Sequence, residues 1–98
     1  MASSRELIQA LGRMGFNIDR SRGKGSHVRA SYVHRGKIVA VTFIPQRQDI
    51  PPGTLASIRR SVYVRSASDF QRLLRGEMLP HEYVELLRVQ GIISEPSA

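Results

Sequence analysis

The chain is expected to fold as an α+β domain: two helices over one face of a three-stranded antiparallel sheet, with a helical extension behind them. Three observations lead there. Apolar residues recur at helical spacing near both ends of the first 62 residues. Between them, two turn signals, Ser21 to Ser26 and Arg35-Gly36-Lys37, divide the chain into three runs of strand length. The order is then α-β-β-β-α, and two helices packed on one sheet face make a two-layer unit. The 98 residues suit a single small domain, read as a basic unit over 1–63 and a helical extension over 64–98.

The first helix is signalled by Ser3 with Glu6 three residues later, a capping box. Leu7, Leu11 and Met14 follow on one stripe, with Ile8 beside them, and Gly15 supplies the stop, so the helix runs over 5–14. Phe16 to Arg20 alternates apolar and polar, as a half-buried strand does. In the second strand, His27 to His34, Val28, Ala30 and Tyr32 lie on one face and His27, Arg29 and Ser31 on the other. Ile38 to Ile44 is apolar on both parities, which predicts a central strand covered on both sides and ended by Pro45.

Pro51-Pro52-Gly53 gives a rigid start to the second helix, with Thr54 as its expected cap and Leu55, Ile58 and Val62 as its stripe. Val62-Tyr63-Val64 reads equally as an extended connector or a fourth strand. Beyond it, Ser66 with Asp69 opens a short helix carrying Phe70, Leu73 and Leu74, broken at Gly76. Pro80 suits the first position of another, with Tyr83, Val84 and Leu87 as its apolar face up to Gly91.

Composition narrows the function. Without cysteine there is no disulfide, thiolate nucleophile or thiolate metal site, and His27, His34 and His81 have no ligand spacing, so neither metal nor cofactor is expected. No apolar run approaches the ~20 residues of a membrane span, and Met1 to Ser4 holds no apolar signal core, so a cytoplasmic location is expected. The net charge of +7 is uneven: residues 1–62 carry eleven Lys/Arg against three acids, a net of +8, and residues 63–98 a net of −1. Such a basic unit attracts polyanions, above all nucleic acid. With only six aromatics spread along the chain, no single-strand stacking platform is legible.

The charge is densest at Arg22-Gly23-Lys24-Gly25-Ser26-His27, at the mouth of the second strand. Glycines let backbone approach a phosphate closely, Arg22 and Lys24 supply cations, and Ser26 can donate to a phosphate oxygen. Arg29 shares the strand face of His27 and adds another cation. A histidine can take or return a proton near neutral pH, and RNA needs only that: a base removes the 2′-hydroxyl proton and the oxygen attacks the adjacent phosphorus. On these residues alone two readings of His27 stand, a proton-transfer group and a polar residue bonding the turn backbone.

Several of these features coincide in one known pattern: the capped helix ending in Gly15-Phe16, then Gly25-Ser26-His27 opening a strand. Next come the apolar strand ending at Pro45 and Asp49-Ile50-Pro51-Pro52-Gly53-Thr54-Leu55 with Ser57-Ile58 after it. Over about residues 5–62 the chain resembles the HicA family of bacterial toxins, the messenger-RNA interferases of toxin–antitoxin pairs. The resemblance implies a double-stranded-RNA-binding-domain-like fold, a catalytic role for His27, mRNA as substrate and a HicB-type antitoxin as partner. The second histidine that many relatives carry after the strand-ending proline is replaced here by Gln46 and Arg47. The extension over 64–98 exceeds a minimal relative and offers a surface to the antitoxin or to a second copy. The alternative is a module that binds double-stranded RNA without cutting it.

Overall fold

Residues 2–20 and 27–94 are described by the computed structural model. Ser3 caps α1 (Ser4–Met14): its hydroxyl accepts the Glu6 N–H at 3.1 Å, and the Glu6 carboxylate accepts the Ser3 N–H at 3.2 Å. The reciprocal box closes two of the helix's orphan donors. Leu7, Ala10, Leu11 and Met14 are buried, and Gly15 ends the helix in the left-handed region at φ 104°. The chain then enters β1 (Asn17–Asp19), which pairs antiparallel with β2 (His27–His34), itself antiparallel to β3 (Lys37–Pro45). The β2–β3 turn needs positive φ at both central residues to match the strand twist. Arg35 takes φ 52° and Gly36 φ 79°, the second at no steric cost because it has no Cβ.

The strand order is β1-β2-β3, so the central strand is β2, and β3 is an edge. That corrects the expectation that β3 would be central and covered on both faces. One parity, Ala40, Thr42 and Ile44, is buried under the helices opposite Tyr32, Ala30 and Val28. The other is only partly covered, with Val39 and Val41 half-buried and Phe43 40% exposed, and past the register irregularity near the β2–β3 turn Ile38 is 55% exposed. Its apolar run therefore reflects a partly open outer face.

The loop from β3 returns to the start of α1, where the Ser4 N–H donates to the Arg47 carbonyl at 2.9 Å and the Ile50 N–H to the Ala2 carbonyl at 3.0 Å. Helix α2 (Pro52–Ser61) starts earlier than its expected cap: Pro51 is the N-cap and Pro52 the first helical residue, leaving Thr54 exposed in the first turn. Proline suits that position because its fixed φ is already helical and no N–H is required there. Val62-Tyr63-Val64 is neither strand nor extended connector. Tyr63 adopts φ 64° and donates its N–H to Arg60, while Val64 donates to Arg59, so the chain turns back over α2.

Helices α3 (Ala67–Leu74) and α4 (Pro80–Val89) then join the same hydrophobic core as α1 and the sheet. Ser66 accepts the Asp69 N–H at 2.9 Å to start α3, and Glu82 accepts the Leu79 N–H at 3.0 Å to start α4. Tyr83 is fully buried between Phe16 and Tyr32, with ring centroids 5.5 and 5.2 Å away, and its hydroxyl donates to the Val62 carbonyl at 2.9 Å. Burial pushes the Tyr83 phenol up, so it stays protonated and keeps donating. Arg13 reaches from α1 to the last carbonyls of α3, Leu73 at 3.5 Å and Leu74 at 3.4 Å. Gly76, at φ 77°, lets the guanidinium pass: a Cβ there would lie 3.3 Å from it. The result is an α+β fold like a double-stranded-RNA-binding domain, whose core continues into the C-terminal helices.

Candidate nucleic-acid interface

Register fixes the site's geometry. His27 opens β2 and pairs with Pro45, the last residue of β3. Val28 beside it is fully buried under the helices, so alternation puts His27, half-buried, on the outer face. Arg29 follows on the same face, directly between Asp19 of β1 and Phe43 of β3. The structure thus brings His27 and Arg29 together on one surface. Arg22, Lys24 and Ser26 lie outside the described residues. The described residues on either side of them, Arg20 and His27, lie at the same end of the sheet.

That end holds cations that sequence reasoning did not single out. Because β1 runs antiparallel to β2, Arg20 leaves the sheet beside the start of β2. Helix α1 precedes β1 and runs back along it, which returns its N-terminus and Arg5 to this end. The β3–α2 loop brings Arg47, locked to the start of α1 by its own N–H donating to the Ser4 hydroxyl at 3.2 Å. Two adjoining clefts result. One is lined by Ser4, Arg5, Ile8, Gln9, Arg20 and Gln46, the other by Ser3, Ser4, Arg5, Gln46, Arg47 and Gln48. Arg5, Arg20 and Arg47 are all exposed. Cations with neighbouring amides suit a ribose–phosphate chain: guanidinium groups bind phosphate oxygens, and amides reach hydroxyls and base edges. The signal was invisible in the sequence because these residues lie far apart in it, and only the antiparallel return and the loop lacing assemble them.

The remaining histidines sit elsewhere. His34 pairs with Lys37 across the β2–β3 turn, and His81 is exposed on α4. His81 lines a groove of about 580 Å³ between α3 and α4, whose walls include Arg65, Asp69, Arg72, Glu82 and Leu86. Its charges are mixed and mutually paired. Arg72 bonds Glu82 at 2.8 Å and holds that carboxyl below the usual range, with the Leu79 N–H helping, and Arg88 does the same to Glu85. A groove balanced in this way lacks the net positive field of the His27 end. Among the described residues, no group of three or more His, Cys, Asp or Glu is placed to hold a metal ion, and no helix is long and apolar enough to cross a membrane.

The family model for the HicA toxin of bacterial toxin–antitoxin systems matches residues 4–63, the segment from the first residue of α1 to the turn after α2. No curated protein and no solved structure matches the chain.

Proposed function

The chain belongs to the HicA toxin family of bacterial toxin–antitoxin systems, and from that premise we propose that it cuts messenger RNA with His27 as the proton-transfer group. The observation that carries the proposal is the placement of His27. It stands at the edge of a cationic sheet end, half-exposed, with Arg29 next along the same face and Arg5, Arg20 and Arg47 around the corner. A histidine kept only to bond a turn has no need of that setting.

The chemistry follows from the groups present. Neutral His27 takes the proton of a ribose 2′-hydroxyl, and the oxygen attacks the adjacent phosphorus. The bond to the next nucleotide's 5′-oxygen breaks, giving a 2′,3′-cyclic phosphate and a 5′-hydroxyl. The departing oxygen gains a proton from solvent or from the imidazolium just formed. Negative charge on the phosphoryl oxygens is met by Arg29, Arg22 and Lys24, with Ser26 donating a hydrogen bond. Arg5, Arg20 and Arg47 hold the flanking phosphates. Residues 1–63 carry this activity, and 64–98 form the packed extension. A cognate antitoxin of the HicB type silences it by covering the cationic end, and the substrate places its work in the cytoplasm.

The test is cleavage of a short unstructured RNA by the purified chain and by His27→Ala, both shown to be folded. The expected result is a loss of about 100- to 10,000-fold in the variant, with RNA binding retained. Undiminished cleavage by the variant overturns the role of His27. Binding without cleavage by the wild type makes the chain an RNA-binding module instead.

A further inference from the structure

Five of the six aromatic side chains serve the core. Phe16, Tyr32 and Tyr83 form one cluster, Phe70 is buried, and Tyr63 packs partly against the same interior. Phe43 does not. It lies on the outer sheet face, 40% exposed, on the parity opposite to the buried Thr42 and Ile44. Its cross-strand partner is Arg29, and the next pair on that face is His27 with Pro45. Phe43 and His27 are thus diagonal neighbours, about 7–8 Å apart at their backbones, within reach of aromatic and long side chains. The other exposed apolar pair, Val33 and Ile38, lies at the far end of the hairpin, beyond Ser31 and Val41. The exposed ring therefore stands alone beside a cation and a proton-transfer group.

We propose that Phe43 is a base-stacking residue: its ring holds the unpaired nucleobase whose ribose supplies the attacking hydroxyl. The inference rests on the nuclease reading above and deepens it by specifying the substrate as single-stranded at the cut. A planar ring flanked by Arg29 fits a nucleotide, with the apolar base on the ring and the phosphate toward the guanidinium. A paired base inside a duplex hides both of its faces and cannot stack on the sheet. Ring stacking tolerates any base, so Phe43 fixes the position of the cut ribose and leaves the choice of base open.

The experiment compares wild type, Phe43→Leu and Phe43→Tyr on two short unstructured RNAs. One is intact, and the other lacks the base 5′ to the mapped cut. Leucine keeps an apolar side chain on the sheet, and thermal melts confirm the fold. On intact RNA, Phe43→Leu is expected to lower kcat/KM about 5- to 150-fold, the range for losing one stacked base, while Phe43→Tyr stays near wild type. On the abasic RNA all three are expected to be equally slow. Full activity of Phe43→Leu on intact RNA overturns the proposal, as does an equal loss on both RNAs, which would mark a structural effect. Intact cleavage with weakened antitoxin neutralisation overturns it as well and gives the ring to a protein contact. If the wild type cuts no RNA, the nuclease reading fails by itself. The binding affinities of the same proteins for RNAs with and without a matched internal base then decide: a base-dependent loss in Phe43→Leu upholds stacking, and equal binding overturns it.

Discussion

Arg29 is flanked by two chemically opposite neighbours, the Asp19 carboxylate on β1 and the Phe43 ring on β3. A carboxylate there opposes an incoming phosphate. A unit charge about 7 Å away in water is worth ~0.6 kcal/mol, roughly threefold in affinity. Asp19→Asn is therefore expected to tighten RNA binding by about that factor at low salt, with the gain fading as salt rises; fluorescence anisotropy across a salt series checks both. His27 and Arg29 were legible in the sequence because a period of two needs only strand parity. Phe43 was not, since an aromatic in an apolar run reads as core until the sheet order is known. Arg5, Arg20 and Arg47 were equally silent, because nothing local links a helix start, a strand end and a loop.

The elements themselves were written in local signals. Capping at Ser3 and Ser66, the stops at Gly15 and Gly76 and the proline at the start of α4 all stand where their chemistry places them. What local signals missed was rank within the sheet: β3 is apolar on both parities yet forms an edge. In the tail, α3 and α4 are tied by Arg72 and Glu82 at 2.8 Å, and the hydrogen bond from Arg72 holds the Glu82 carboxyl low. A carboxyl whose folded pKa lies below its unfolded value, ~4.3 for glutamate, stabilises the fold above that value. The stability is lost as pH falls through the folded pKa. The helical pair is thus expected to loosen below about pH 4, and Glu82→Gln to flatten that part of the profile. Urea midpoints measured from pH 7 to pH 3 read both. The exposure of the pair keeps the effect small.

At the scale of the molecule, the matched family segment and the helices behind it share a single interior. Tyr83 fills the space between Phe16 and Tyr32, Arg13 closes the end of α3, and Gln90 donates to the Tyr63 carbonyl at 2.7 Å. The sequence showed the extension as helical and near-neutral, but its docking depends on an aromatic contact across 67 residues of chain, from Phe16 to Tyr83. A chain cut after Tyr63 is expected to lose cooperative unfolding, since removing a buried aromatic alone costs about 3–5 kcal/mol against a total stability of ~5–15 kcal/mol. Calorimetry of the truncated and full chains checks it, and a sharp transition in the truncated chain would refute it. The same docking orders events in time. When a ribosome has finished residue 63, every residue assigned to cutting exists, yet the interior still lacks Phe70, Leu73, Tyr83 and Leu87. Synthesis at about 5–20 residues per second delivers those within roughly 1–5 seconds. The growing polypeptide is thus expected to complete its interior only when its last helix emerges, a built-in pause between making the residues assigned to cutting and seating them on a finished core.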